Sequence, residues 1–148
     1  MGSDASPGEH PTVLISDRQS RALDLEDLAT LARRTLRAEG VEVGELSLSF
    51  VEEDEIADLH LRYLDEPGST DVLSFPQDGD AGDGAPLLGD VVIAPAVAER
   101  NHPEDPPAEV RLLLVHGILH LLGYDHEEDE ERAEMWLRQE RYSGVRAP

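Results

Sequence analysis

Residues 108–123, AEVRLLLVHGILHLLG, limit what this chain can fold into more than any other stretch. The run is apolar on almost every side, which marks a helix buried around most of its circumference. It falls short of the ~18 apolar residues that span a bilayer. Pro107 suits the first turn of this helix, and Gly123 suits the residue just past its end. The two polar exceptions near its end are His116 and His120, and a third histidine, His126, follows just beyond Gly123.

The flanking sequence supplies the partners such a helix needs. TVLIS (12–16) reads as a short strand, and LDLEDLATLARRTLRAEG (23–40) as an amphipathic helix. In that helix Leu25, Leu28, Leu31, Ala32 and Leu36 fall near helical spacing and Gly40 is the stop. GELSLSFV (44–51) alternates Leu46, Leu48 and Phe50 with polar residues, as a strand with one wet face does. EEDEIADLHLRYLDEPG is a second helix ending at Pro67-Gly68, and TDVLSFP (70–76) and LLGDVVIAP (87–95) are further strands. The loop between them, QDGDAGDGAP, lacks the spacing and closing Glu of an EF-hand and reads as a mobile loop, not a calcium site. EEDEERAEMWLRQERY (127–142) is a last helix whose leading acids suit the positive end of its dipole.

The order β-α-β-α-β-β-α-α implies an α+β fold, a small mixed four-stranded sheet packed with helices. A chain of 148 residues suits a single domain, placed at 11–143 behind a flexible tail at 1–10. Hydrophobic content of 39% and charged content of 30% describe a soluble protein. The absence of cysteine excludes disulfides and thiolate metal sites. No secretory signal opens the sequence, so a cytoplasmic location with no membrane partner is expected. The net charge of −21 opposes non-specific nucleic-acid binding, although a local basic patch is compatible with it. All twelve basic residues are Arg.

His116 and His120 are spaced i, i+4 and share a helix face, about 6 Å apart along the axis. The turn at Gly123 lets His126 return toward them. Three neutral imidazoles make a tetrahedral zinc site with one position open. Such an ion keeps its full charge, lowers the pKa of a bound water toward ~7 and polarises a carbonyl or phosphoryl oxygen. A fourth ligand from Asp125 or the acids at 127–131 would close the site and make it structural. The spacing matches the metzincin protease pattern H-E-x-x-H-x-x-G-x-x-H except at Gly117, where the protease has its glutamate base. Loss of that base costs a factor of ~10²–10⁴. Met135 lies inside the last helix, not in a Met-turn. A metzincin-like metallohydrolase or protease is therefore the second reading.

HGILHLLGYDH (116–126), together with DEPGSTDVLSFP (65–76) and LLGDVVIAP (87–95), resembles the YbeY family of bacterial endoribonucleases. The resemblance implies a zincin-like domain with its metal site on a central helix, and one Zn2+ on His116, His120 and His126. It also implies single-strand-specific cleavage of RNA, in 3′-end maturation of small-subunit ribosomal RNA and in ribosome quality control. Asp71 and Asp90 fall at family positions near the site, where a carboxylate either orients a metal-bound His or caps a turn. One departure stands out. Tyr63 matches a family Tyr-Arg pair, but the Arg position is Leu64; Arg62 is displaced by one residue, a rotation of ~100° on a helix. That departure sustains a third reading, a non-catalytic, metal-stabilised ribosome-assembly factor. The densest basic group is Arg33, Arg34 and Arg37 on the first helix. Asp24, Glu26, Asp27 and Glu39 lie nearby, so a solvated helix face competes with RNA binding there. The acidic balance points to a partner on the small ribosomal subunit, a ribosomal protein or a ribosome-associated GTPase.

Overall fold

Apolar alternation on the strands and apolar stripes on the helices meet in two layers of different depth. The computed structural model describes residues 10–80, 84–124 and 128–145. In chain order these form β1 (Thr12–Arg18), α1 (Leu25–Ala38), β2 (Glu45–Val51), α2 (Glu53–Leu64), β3 (Val72–Pro76) and β4 (Leu87–Ile93). α3 (Pro95–Asn101), α4 (Pro106–Leu121) and α5 (Asp129–Ser143) follow. The four strands form one sheet in the order β1-β2-β4-β3. β1 and β2 run parallel, as do β2 and β4, while β3 pairs antiparallel with β4. The fold is thus α+β with a mixed four-stranded sheet, as the sequence implied.

Alternation sorts the sheet residues cleanly. Leu46, Leu48, Phe50, Val91 and Ile93 point to one face, where they meet Leu28, Leu31 and Leu36 of α1 and the apolar body of α4. Val51, Leu73 and Val92 point to the other and meet Ile56 of α2 and Val97 of α3. α4 buries Val110, Leu113, Leu114, Val115, Gly117, Ile118 and Leu119, as an apolar helix with neighbours on several sides must. Each fully buried Leu or Ile contributes about 1.5–3 kcal/mol relative to exposure. Among the described residues, no helix is long and apolar enough to cross a membrane.

Side chains and glycines close the helix ends. Asp24 accepts from the Asp27 amide at 3.1 Å and Asp105 from the Ala108 amide at 3.2 Å, and Pro106 opens α4. α4 stops in a Schellman turn. The Tyr124 amide donates to the Leu119 carbonyl at 3.0 Å, and the Gly123 amide to the His120 carbonyl at 3.1 Å. Gly123 has φ +105°, which favours glycine.

Three expectations change. The strand expected to end at 95 stops at Ile93, and α3, a helix not expected from the sequence, follows with Pro95 in its first turn. β1 runs on to Arg18, because it pairs with β2 through Arg18 and Val51. β3 begins at Val72, opposite Ile93, with one further bond from the Ala94 amide to the Asp71 carbonyl just before it. Of the expected tail at 1–10, residues 1–9 lie outside the described residues, as do 81–83 of the expected mobile loop.

Candidate metal centre

α4 carries His116 and His120 on one side of its last turns. Their rings lie 5.9 Å apart, centre to centre, with planes inclined by 27°. His116 is half-buried and His120 exposed. Each ring has its Nδ1 engaged. His120 Nδ1 is 2.9 Å from the Tyr124 carbonyl oxygen, which can only accept, so Nδ1 carries the proton and donates. His116 Nδ1 is 2.7 Å from Gln139 Oε1 on α5, again an acceptor. A neutral imidazole protonated at Nδ1 keeps its lone pair on Nε2, the form that ligates a metal. His116 and His120 therefore share a helix face and the tautomer that ligates a metal through Nε2. His126, the third expected ligand, lies outside the described residues, with Asp125 and Glu127. Among the described residues, no three His, Asp or Glu side chains converge in a metal-holding group.

The support of His120 continues inward. The Tyr124 hydroxyl donates to Glu39 Oε1 at 2.8 Å, and Arg138 Nη1 donates to Glu39 Oε2 at 2.6 Å. The Tyr142 hydroxyl donates to the same Oε2. Arg138 also lies 5.4 Å over the Tyr124 ring, a cation–π contact. The Glu39 side chain is only 7% exposed. Burial opposes its charge, but the hydrogen bonds from Tyr142, Tyr124 and Arg138 and the Arg138 charge outweigh it, so its pKa is lowered. Burial and the bond to Glu39 push the Tyr124 hydroxyl up to about 12. This network ties the end of α1, the turn after α4 and α5 together behind the histidines.

Gly117 has a packing reason. A Cβ there would sit 2.7 Å from Val91 Cγ1, 3.2 Å from Val72 Cγ2 and 3.3 Å from Ser74 Oγ. The Ser74 hydroxyl donates to the Gly117 carbonyl at 2.9 Å. Position 117 thus faces the sheet where α4 packs closely on β3 and β4. A glutamate there would run into β3 and β4, not toward an ion on the histidines.

The remaining sequence candidates are dispersed. Asp90 lines a groove with Ser49, Leu59, Tyr63 and Phe75 under α2, on the sheet face opposite α4, and accepts from Gln77 Nε2 at 2.9 Å. Asp71 accepts from Asn101 Nδ2 at 3.1 Å. It lies close enough to Glu109, on α4, to help burial raise that carboxyl's pKa. Arg62 forms an exposed i, i+4 pair with Asp58 at 2.7 Å. Arg33 donates to the Pro11 carbonyl at 3.2 Å and Arg37 to that of His10, while Arg34 is exposed. Sequence reasoning missed Gln139, Glu39 and Tyr124. For Gln139 a signal existed: Met135, Gln139 and Ser143 repeat at i, i+4, i+8 and form the buried stripe of α5, so a polar residue there needed an inward partner.

Comparison with known proteins agrees with this architecture. Residues 14–144 match the family described as Endoribonuclease YbeY. The Endoribonuclease YbeY of Thermobifida fusca is 49% identical over 135 residues, covering 83% of this chain and 86% of its own. That of Acidothermus cellulolyticus is 44% identical over 142 residues, covering 86% and 87%. The solution structure of TM1509 from Thermotoga maritima superposes with a TM-score of 0.64 at 30% identity, over 89% of this chain and 87% of that one. With a family match across nearly the whole fold and relatives this similar, the chain belongs to the Endoribonuclease YbeY family.

Proposed function

We propose that this chain is a zinc-dependent, single-strand-specific endoribonuclease of ribosomal RNA maturation, with one Zn2+ held by His116, His120 and His126. Membership of the family supplies the reaction, hydrolysis of phosphodiester bonds in RNA. The observation that carries the metal assignment is the paired tautomer. Two histidines one helical turn apart each have Nδ1 beside an acceptor, which favours the tautomer that ligates a metal through Nε2. When bound, zinc supplies a Lewis acid that stabilises charge on a phosphoryl oxygen. The protein's part is to fix the two rings and to keep their Nδ1 protons in place, which spares the reaction that reorganisation. The protease reading recedes because position 117 points into the sheet.

Substrate capture is expected to need help. A net charge of −21 repels polyphosphate, and Arg33 and Arg37 are drawn onto backbone carbonyls near the start of β1. Affinity for small-subunit ribosomal RNA in the cytoplasm is then supplied partly by a ribosomal protein or a ribosome-associated GTPase. His116→Ala tests the proposal directly. The expected result is a folded protein that loses both stoichiometric zinc and RNA cleavage. Wild-type cleavage that survives complete metal removal would overturn the metal mechanism.

A further inference from the structure

Two polar side chains, Gln139 and Ser143, are buried in α5. Gln139 is 6% exposed and lies on the inner stripe of the helix, between Met135 and Ser143. Burying an amide is costly unless its polar atoms are matched, and a leucine at this position would continue the stripe. Instead its Oε1 meets His116 Nδ1 at 2.7 Å across the α4–α5 interface. The backbone of Gln139 is held in turn, since the Ser143 hydroxyl donates to its carbonyl at 2.6 Å.

We propose that Gln139 is the positioning residue for the metal ligand His116: it holds the proton on Nδ1 and the ring in the orientation that offers Nε2. The inference rests on the zinc assignment above and deepens it, by giving α5 a role in the metal centre that its sequence does not announce. The two ligands are held in different ways. His120 is fixed by a main-chain carbonyl of the Schellman turn, which no side-chain substitution removes. The Nδ1 of His116 meets a side chain from another helix, 23 residues away in sequence. Loss of that acceptor removes what favours the proton on His116 Nδ1, while the Nδ1 contact of His120 remains. Outer partners of metal-bound His typically change metal affinity by about 10–100-fold.

The test compares Gln139→Met, which keeps the length and removes the acceptor, with Gln139→Glu, which keeps an acceptor. Two readouts apply to each purified apo-protein. One is zinc affinity, by competition with a chromophoric chelator. The other is the imidazole nitrogen NMR spectrum under mildly alkaline conditions, where an ordinary His is neutral. The expected result for Gln139→Met is a loss of affinity of about 10–100-fold, with His116 populating both tautomers and His120 remaining protonated at Nδ1. Gln139→Glu should restore the affinity and the single His116 tautomer. Wild-type affinity in Gln139→Met, with His116 still protonated at Nδ1, would overturn the proposal. So would a parallel change at His120, because that is general loosening of the helix pair. If Gln139→Met does not fold, Gln139→Glu decides: an unchanged tautomer with undiminished affinity supports the role, and a loss of both refutes it. Failure of wild-type protein to bind zinc would instead sink the metal assignment itself.

Discussion

The two faces of the sheet differ in how deeply they bury a charge. Behind α4, one carboxylate, Glu39, is almost wholly buried and satisfied by Arg138, Tyr124 and Tyr142. On the face under α2, charges meet at the surface. Arg18 pairs with Glu55, Arg100 with Glu53 and Arg62 with Asp58, all with substantial exposure. Buried and networked charge is expensive to disturb, whereas exposed pairs are worth ~0–1 kcal/mol. The face with the buried carboxylate is the one whose turn holds His120, so rigidity there would serve a metal bound at the histidines. The other face can tolerate drift, and the departure from the family's Tyr-Arg pair falls on its helix, α2, where Leu64 is 48% exposed.

The largest effect should come from Glu39→Gln. It replaces charge-assisted bonds with neutral ones and leaves Arg138 paired with Glu134 in place of two carboxylates, at a cost of about 1.5–3 kcal/mol by denaturant titration. The same variant should change the acid response. Because the folded pKa of Glu39 lies below the usual 4.5, its contribution is present in full above that value and fades as pH falls through the folded pKa. Wild-type stability should therefore drop more steeply than that of Glu39→Gln on acidification below 4.5. Parallel curves would mean that the network is not the distinction between the two faces.

Gly117→Ala should have an intermediate effect. The added methyl overlaps Val91, a stiff β-branched side chain in the core. Overpacking of about 1–3 kcal/mol is partly offset by a helix-propensity gain of ~1 kcal/mol for Ala over Gly. A net loss of about 0–2 kcal/mol in thermal or denaturant unfolding is expected. A stabilised variant would show that α4 can lift from the sheet. Arg62→Ala should have the smallest effect, within about 0.5 kcal/mol, because its pair with Asp58 is exposed on both sides. If Arg62→Ala stays folded but cleaves RNA markedly more slowly, α2 reaches the substrate and the contrast between the faces breaks down.

What could be read in the sequence follows the range of the interactions. α1, β2 and α4 announce themselves through local periodicity, and the Schellman turn through Gly123. α3 escaped because two turns give too little periodicity, and Pro95 could close a strand as well as open a helix. The histidine pair was legible because i, i+4 spacing is a local property. Gln139 and Glu39 were not, since their partners lie 23 residues away for Gln139 and 85 and 99 for Glu39. The meaning of Gly117 also changed. The sequence showed only that a protease base is missing, whereas Val91, Val72 and Ser74 show why a side chain has no room there.

The contact at Gly117 also works as a mechanical detent. The missing side chain leaves a notch in α4 that seats Val91, and the Ser74 hydroxyl latches the carbonyl of the same residue. A helix held only by greasy contacts can roll or slip along a sheet at little cost. One seated and latched in this way has a fixed azimuth and a fixed height. His116 is the residue before the notch and His120 the third after it, so the detent sets where both imidazoles emerge from the core.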